Sequence, residues 1–172
     1  MAAPVTLQVE PLTASAFAPF GQVIEIRDGA TPRLINEGTA ERFEGLAELQ
    51  GAGVRFTLAV MRAQPRQLPF AVQLLERHRQ ASQAFVPWSG GAYLVVVAPP
   101  GAEPTIDAIR CFKATGRQGV NYLPGTWHHP LLALDTVSEF LVADQSGTAG
   151  AADCEEFAID GVRLVIDSVS PH

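Results

Sequence analysis

Charge is what this chain has least of. Asp, Glu, Lys and Arg make up 17% of its 172 residues, against about 25% in an average soluble domain. With 47% apolar residues and a mean hydropathy of +0.14, the composition excludes a disordered chain. Sparse charge raises the membrane question, and the longest stretch without Asp, Glu, Lys or Arg is Gln80 to Ala102. Pro87, Gly90, Gly91, Pro99 and Pro100 interrupt it, so it does not read as a spanning helix of about 20 residues. The opening MAAPVTLQVE has no basic segment followed by an apolar run, and the expectation is a cytoplasmic protein that meets no membrane.

Lysine is nearly missing. Eleven of the 12 cations are arginine, Lys113 being the exception, and no basic cluster marks a nucleic-acid face. The net charge of −6 is uneven: residues 131–172 hold eight acids and one base, while residues 1–130 hold ten acids and eleven bases. Only two cysteines occur, Cys111 and Cys154. Their separation fits neither a zinc ribbon nor a disulfide framework, and each is expected to be a buried thiol.

What the chain does have is strand-like material punctuated by Gly and Pro. Thr6 to Glu10, Gln22 to Ile26, Ala71 to His78, Gln83 to Pro87, Ala92 to Ala98, Gly119 to Leu123, Leu131 to Leu134, Val137 to Asp144 and Val162 to Ile166 read as strands. Val54, Phe56, Leu58 and Val60 alternate with Arg55, Thr57 and Ala59, the pattern of a half-buried strand. Thr13 caps a short predicted helix ending near Gly21, and Thr105 to Ala114 reads as a second helix. Many short strands and few helices predict a mainly β sandwich or barrel, and the length predicts a single domain over residues 1–172.

Three of four histidines fall in two clusters, Glu76-Arg77-His78 and Trp127-His128-His129-Pro130. On a strand, Glu76 and His78 share one face and Arg77 takes the other. Neighbours alternate, so only one of His128 and His129 faces inward. Glu76-x-His78, Gln83 and Gly90, followed by Gly119, Pro124, Gly125 and His128, resemble the two-part signature of the cupin superfamily, with Glu76 and Gln83 in place of its usual His and Glu. Spacing selects His128 as the inward histidine. Glu76, His78, Gln83 and His128 are then candidate ligands for a divalent ion of the nickel, iron or zinc type.

Longer strings carry a closer resemblance. Ile35-Asn-Glu-Gly-Thr-Ala-Glu-Arg-Phe43, Leu75-Glu-Arg-His78, Gln83-Ala-Phe-Val-Pro87, Gln118-Gly-Val-Asn-Tyr122 and Gly125-Thr-Trp-His-His-Pro130 look like the blocks of the ureidoglycolate lyase family. Val9-Glu-Pro-Leu12 and Met61-Arg-Ala-Gln-Pro65 fit in place and order, and the likeness fades after about Asp144. Leu123 stands where some relatives carry His.

The resemblance implies a cupin-like double-stranded β-helix barrel, a homodimer, and cleavage of (S)-ureidoglycolate to glyoxylate and urea in allantoin degradation, with nickel as the implied cofactor. Breaking this carbinolamide needs a base for the hydroxyl proton and an acid for the urea nitrogen. His78, His128 and Glu76 are the candidates for that work. Arg42, Gln83, Asn121, Tyr122 and His129 are candidate substrate contacts, Arg42 as a carboxylate clamp or else a surface ion pair. Asn121 and Tyr122 lie on opposite faces of one strand, so only one of them reaches a regular pocket. Phe85, Pro87, Trp88 and Tyr93 are expected to form the barrel wall. Two other readings are another metal-dependent cupin enzyme acting on a small acid, and a non-catalytic cupin that binds one.

Overall fold

A computed structural model describes residues 4–145, 152–160 and 163–169. The fold is mainly β, as expected, and is built from two large sheets that face each other. One runs in the order Cys154–Ala158, Leu74–His78, Trp127–His128, Tyr93–Ala98, Arg110–Ala114, Val9–Pro11, with Leu132–Ala133 also pairing along Tyr93–Ala98. The other runs Gly21–Ile24, Gly119–Tyr122, Gln83–Pro87, Ser138–Gln145, Phe56–Ala63. A small sheet of Val5–Thr6, Leu164–Ile166 and Phe70–Val72 stands apart from both, as does the hairpin Arg33–Ile35/Ala40–Arg42.

Two apolar cores follow from this layering. Between the large sheets, Phe85, Val120, Tyr122, Phe140 and Val142 meet Tyr93, Val95, Val97 and Phe112. The helix Ala14–Phe17 adds Phe17, with Phe20 beside it. Thr13 caps that helix as predicted, its hydroxyl accepting from the Ala16 N–H at 3.2 Å. Phe17 meets Phe112 edge-on at 5.8 Å between centroids, and emptying such a site costs about 3–5 kcal/mol. The second core joins Leu75, Leu94, Val96, Cys111 and Trp127 to Val72, Leu164 and Ile166 of the small sheet. The sheet that carries the histidines is therefore buried on both faces.

That double burial explains one failed expectation. Thr105–Ala114 is not a helix: only Ile106–Ala108 forms a 3-10 turn, and Arg110–Ala114 is a strand. Cys111 packs into one core and Phe112 into the other, so neither residue of the pair is polar and the period-two signal disappears. Ala71 to His78 is also two strands, Phe70–Val72 and Leu74–His78, belonging to different sheets. The predicted Val162–Ile166 strand is seen as Leu164–Ile166, Val162 lying outside the described residues.

The alternation from Val54 to Val60 does mark a strand, Phe56–Ala63, but not a half-buried one. It is a sheet edge whose apolar row faces solvent, Leu58 being 69% and Val60 56% exposed. Trp88, expected in the wall, is 66% exposed. It lies just past the end of the Gln83–Pro87 strand. One close approach depends on glycine: a Cβ on Gly21 would lie 1.9 Å from the Asn121 carbonyl oxygen.

Candidate active site

Cross-strand register brings the polar residues of the two sheets onto one face. His128 pairs with Glu76 on one side and with Val97, a residue of the inner core, on the other. His128, Glu76 and His78 therefore point between the sheets. The ligand atoms of Glu76, His78 and His128 lie within 4.8 Å of one another. From the opposite sheet, Gln83 and Tyr122 pair directly and share the inward face with Phe85 and Val142.

Local contacts hold the three side chains in place. Gly125, with φ of +83°, takes the left-handed conformation that glycine adopts without penalty, and its N–H donates to the His78 carbonyl at 2.6 Å. This turn delivers the Trp127–His128 strand to its partner. Buried Asp153 caps the turn beyond His78, accepting from the Arg79 and Gln80 N–H groups at 3.2 and 2.9 Å. On the outer face, Arg77 lies 4.1 Å from the Trp127 ring and bonds Glu155 at 2.7 Å. It thereby ties three adjacent strands together from behind the site.

His128 is sealed, with 1% of its surface exposed. Its Nδ1 lies 3.0 Å from the Thr126 carbonyl oxygen. A carbonyl only accepts, so Nδ1 carries the hydrogen. In the neutral ring Nε2 then presents a lone pair toward Glu76 Oε1, 3.5 Å away, and it has no hydrogen-bond partner. Two lone pairs facing in a buried space call for a cation between them. The Oε1 of Gln83 is likewise buried and unpartnered.

The charges agree with that requirement. Burial pushes the Glu76 carboxyl up, but the neighbouring imidazoles of His128, His78 and His129 outweigh it and hold it below the usual carboxylate value. Burial, with repulsion from His128, pulls His78 below the ordinary histidine value against the pull of Glu76, Asp153 and Asp144. Register also places half-buried Asp144 and exposed Glu156 on the site-facing rows, opposite Thr57 and Glu76. Among the described residues of these rows the one cation is Arg110, whose guanidinium is committed to Glu10 at 3.0 and 2.6 Å and to the Ala16 carbonyl at 3.1 Å. An anionic ligand would enter a space lined by carboxylates. A divalent ion at Glu76, His78 and His128 fits the donor set and answers both the lone-pair conflict and the charge.

The family model described as ureidoglycolate lyase matches residues 4–166. The ureidoglycolate lyase of Pseudomonas syringae pv. tomato is 45% identical over 164 residues, covering 94% of this chain and 95% of the relative. That of Pseudomonas entomophila is 43% identical over 169 residues, covering 97% and 98%. The chain belongs to the ureidoglycolate lyase family. A dTDP sugar isomerase from Desulfovibrio desulfuricans shares 18% identity at a TM-score of 0.47, over 83% of this chain and 88% of that one.

Within this member of the family the predicted site residues separate into two groups. Glu76, His78, His128, Gln83 and Tyr122 come together. Tyr122 stacks on His128, with ring centroids 4.2 Å apart and planes 12° from parallel. Asn121 faces away from them, donating to Gln22 Oε1 at 2.8 Å and the Glu48 carbonyl at 2.9 Å. His129 also turns outward, its Nδ1 2.8 Å from the Pro130 carbonyl and its ring edge-on to Phe70. Arg42 is exposed on the hairpin, paired with Glu44 at 3.1 Å.

Two residues near the triad went unread in the sequence, Asp153 and Glu156. Cys154 is not the buried thiol expected of it. It is half-buried, with Sγ 3.9 Å from Glu76 Oε2. Cys111 alone is sealed, burial pushing its thiol up to about 12.

Proposed function

We propose that this protein is a ureidoglycolate lyase that cleaves (S)-ureidoglycolate to glyoxylate and urea in allantoin degradation, in the cytoplasm, with a divalent ion held by Glu76, His78 and His128. Family membership supports the substrate. The observation that carries the ion is the unpartnered Nε2 of sealed His128, directed at Glu76 Oε1. When bound, the ion supplies positive charge to the carboxylate and hydroxyl oxygens of the substrate. Nickel is the metal we assign on the family resemblance, and two imidazoles and a carboxylate suit a divalent ion of the nickel, iron or zinc type.

The remaining work falls to the chain. Glu156, exposed but on the site-facing side of its strand opposite Glu76, is the carboxylate that the ion leaves free to take the hydroxyl proton and return it to the departing urea nitrogen. Gln83 Oε1, buried and without a partner, accepts from a ureido N–H. Phe85 and Val142 exclude water around the reacting carbon. No covalent intermediate is needed, because the carbinolamide falls apart on proton transfer alone.

The working unit we assign is a homodimer. The exposed Leu58 and Val60 row on the edge strand Phe56–Ala63, next to half-buried Leu141, supports burial against a second copy. Arg42 serves as the carboxylate clamp only if the hairpin reaches a site from outside its own barrel.

The test is to incubate the purified protein with racemic ureidoglycolate and follow glyoxylate, urea and ammonia. Glyoxylate and urea formed in equal amounts from half of the racemate is the expected result. Ammonia in place of urea, or no glyoxylate above the spontaneous rate, overturns the reading.

A further inference from the structure

We infer that Asp144 sets the specificity of this site for a ureido group, its carboxylate accepting from the terminal NH2 while Gln83 accepts from the inner N–H. The inference rests on the ureidoglycolate reading and assigns the end of the substrate that the ion does not hold.

Strand register carries the placement. Ser138–Gln145 runs antiparallel to Gln83–Pro87, with Val142 opposite Phe85 and Ala143 opposite Ala84. One step further along the two strands sets Asp144 beside Gln83. Residues two apart on a strand share a face, so Asp144 points the same way as Phe140 and Val142, and Gln83 the same way as Phe85, all three apolar residues lying in the core between the large sheets. Gln83 pairs with Tyr122 on its other side, and Asp144 with exposed Thr57. The row across this sheet is therefore Tyr122, Gln83, Asp144 and Thr57, running from the ring stacked on His128 to the open edge. Asp144 is half-buried, and its charge is felt by His78 of the facing sheet.

Gln83 supplies an independent sign that a ligand belongs beside Asp144. Its side chain comes from a residue only 6% exposed, and its Oε1 is buried without a partner. A buried acceptor of this kind calls for a donor.

Two neighbouring acceptors, one of them charged, suit a ligand end that offers several N–H groups and no negative charge. The ureido end of the substrate is of that kind, with one inner N–H and a terminal NH2. The carboxylate end only accepts and is repelled by Asp144, so it turns to the ion. Asp144 thus fixes which end of the molecule meets the triad. A bond to a charged acceptor is about twice as strong as one between neutral groups. An analogue with CH3 in place of the NH2 leaves the carboxylate desolvated and unpaired, which weakens binding by roughly 10–100-fold.

N-carbamoylglycine and N-acetylglycine differ in that one group, and neither carries the hydroxyl through which the substrate falls apart. In calorimetric titrations the unaltered protein is expected to bind N-carbamoylglycine about 10–100-fold more tightly. Asp144→Ala is expected to bind the two alike, with its affinity for N-acetylglycine unchanged, and to raise KM for ureidoglycolate more than it lowers kcat. Asp144→Asn, which keeps an acceptor oxygen, recovers part of the preference and serves should the alanine variant fail to fold. An unaltered protein that does not prefer N-carbamoylglycine overturns the inference, as does an Asp144→Ala protein that keeps the preference or loses affinity for both compounds equally. Loss of the preference in Asp144→Ala from a protein that releases no glyoxylate from ureidoglycolate supports the ureido subsite and overturns the lyase reading instead.

Discussion

Tyr122 lies flat on His128, the two rings 4.2 Å apart between centroids and 12° from parallel. One ring comes from each facing sheet, so the barrel interior itself orients the imidazole whose Nε2 meets Glu76. Tyr122→Phe preserves that surface and is expected to keep turnover within a few-fold of the unaltered protein. Tyr122→Ala opens a cavity, lowers stability by about 3–5 kcal/mol, and releases the His128 ring. Thermal unfolding and metal content by elemental analysis separate the two variants. Equal metal content in both would show that the stack does not position His128.

Glu156 and the triad have separable duties in this account. Glu156→Gln is expected to lower kcat by roughly 10²–10⁴-fold with KM and metal content little changed. His128→Ala is expected to lose the metal along with activity. A Glu156→Gln protein with near-normal kcat would move the proton-transfer role to another group.

The fold was legible where one strand face is apolar and the other polar, and obscure where both are apolar. Glu76 and His78 were placed together by alternation alone, and the Pro124-Gly125 turn with its spacing picked out His128 over His129. Arg110–Ala114 was misread as helical because Cys111 and Phe112 fill two different cores. Cys154 and Glu156 gave no sequence signal of the site. Their relation to His78 and Glu76 exists only in a register between residues 76 and 80 positions apart in the chain. Trp88 and the Leu58 row failed in the opposite sense, since apolar residues in or beside a strand pattern read as core even where they are exposed.

Glu10 and Arg110 set an acid limit on stability. The Arg110 bond lowers the Glu10 carboxyl below 4.5, against the opposing effect of burial. A depressed carboxylate contributes stability that is fully present above its unfolded value and is lost as pH falls through the folded one. Glu10→Gln is therefore expected to be less stable than the unaltered protein at pH 7, by no more than about 1 kcal/mol for so exposed a pair, and the gap closes in acid below pH 4.5. Thermal melts from pH 3 to 7 check this; a gap constant across that range contradicts it.

The exposed edge gives a prediction about assembly. Leu58→Asp combined with Val60→Asp is expected to shift the protein from dimer to monomer, read by light scattering on a sizing column. An unaltered protein that is monomeric, or a double variant that stays dimeric, would remove the Phe56–Ala63 edge from the interface.

The most direct test of the account is the rate of glyoxylate release from ureidoglycolate by metal-stripped protein, before and after one equivalent of nickel is restored. The account predicts at least a hundredfold loss on stripping, recovery on restoring the ion, and no recovery in His128→Ala. Full activity in stripped protein shown by elemental analysis to be free of metal would contradict it.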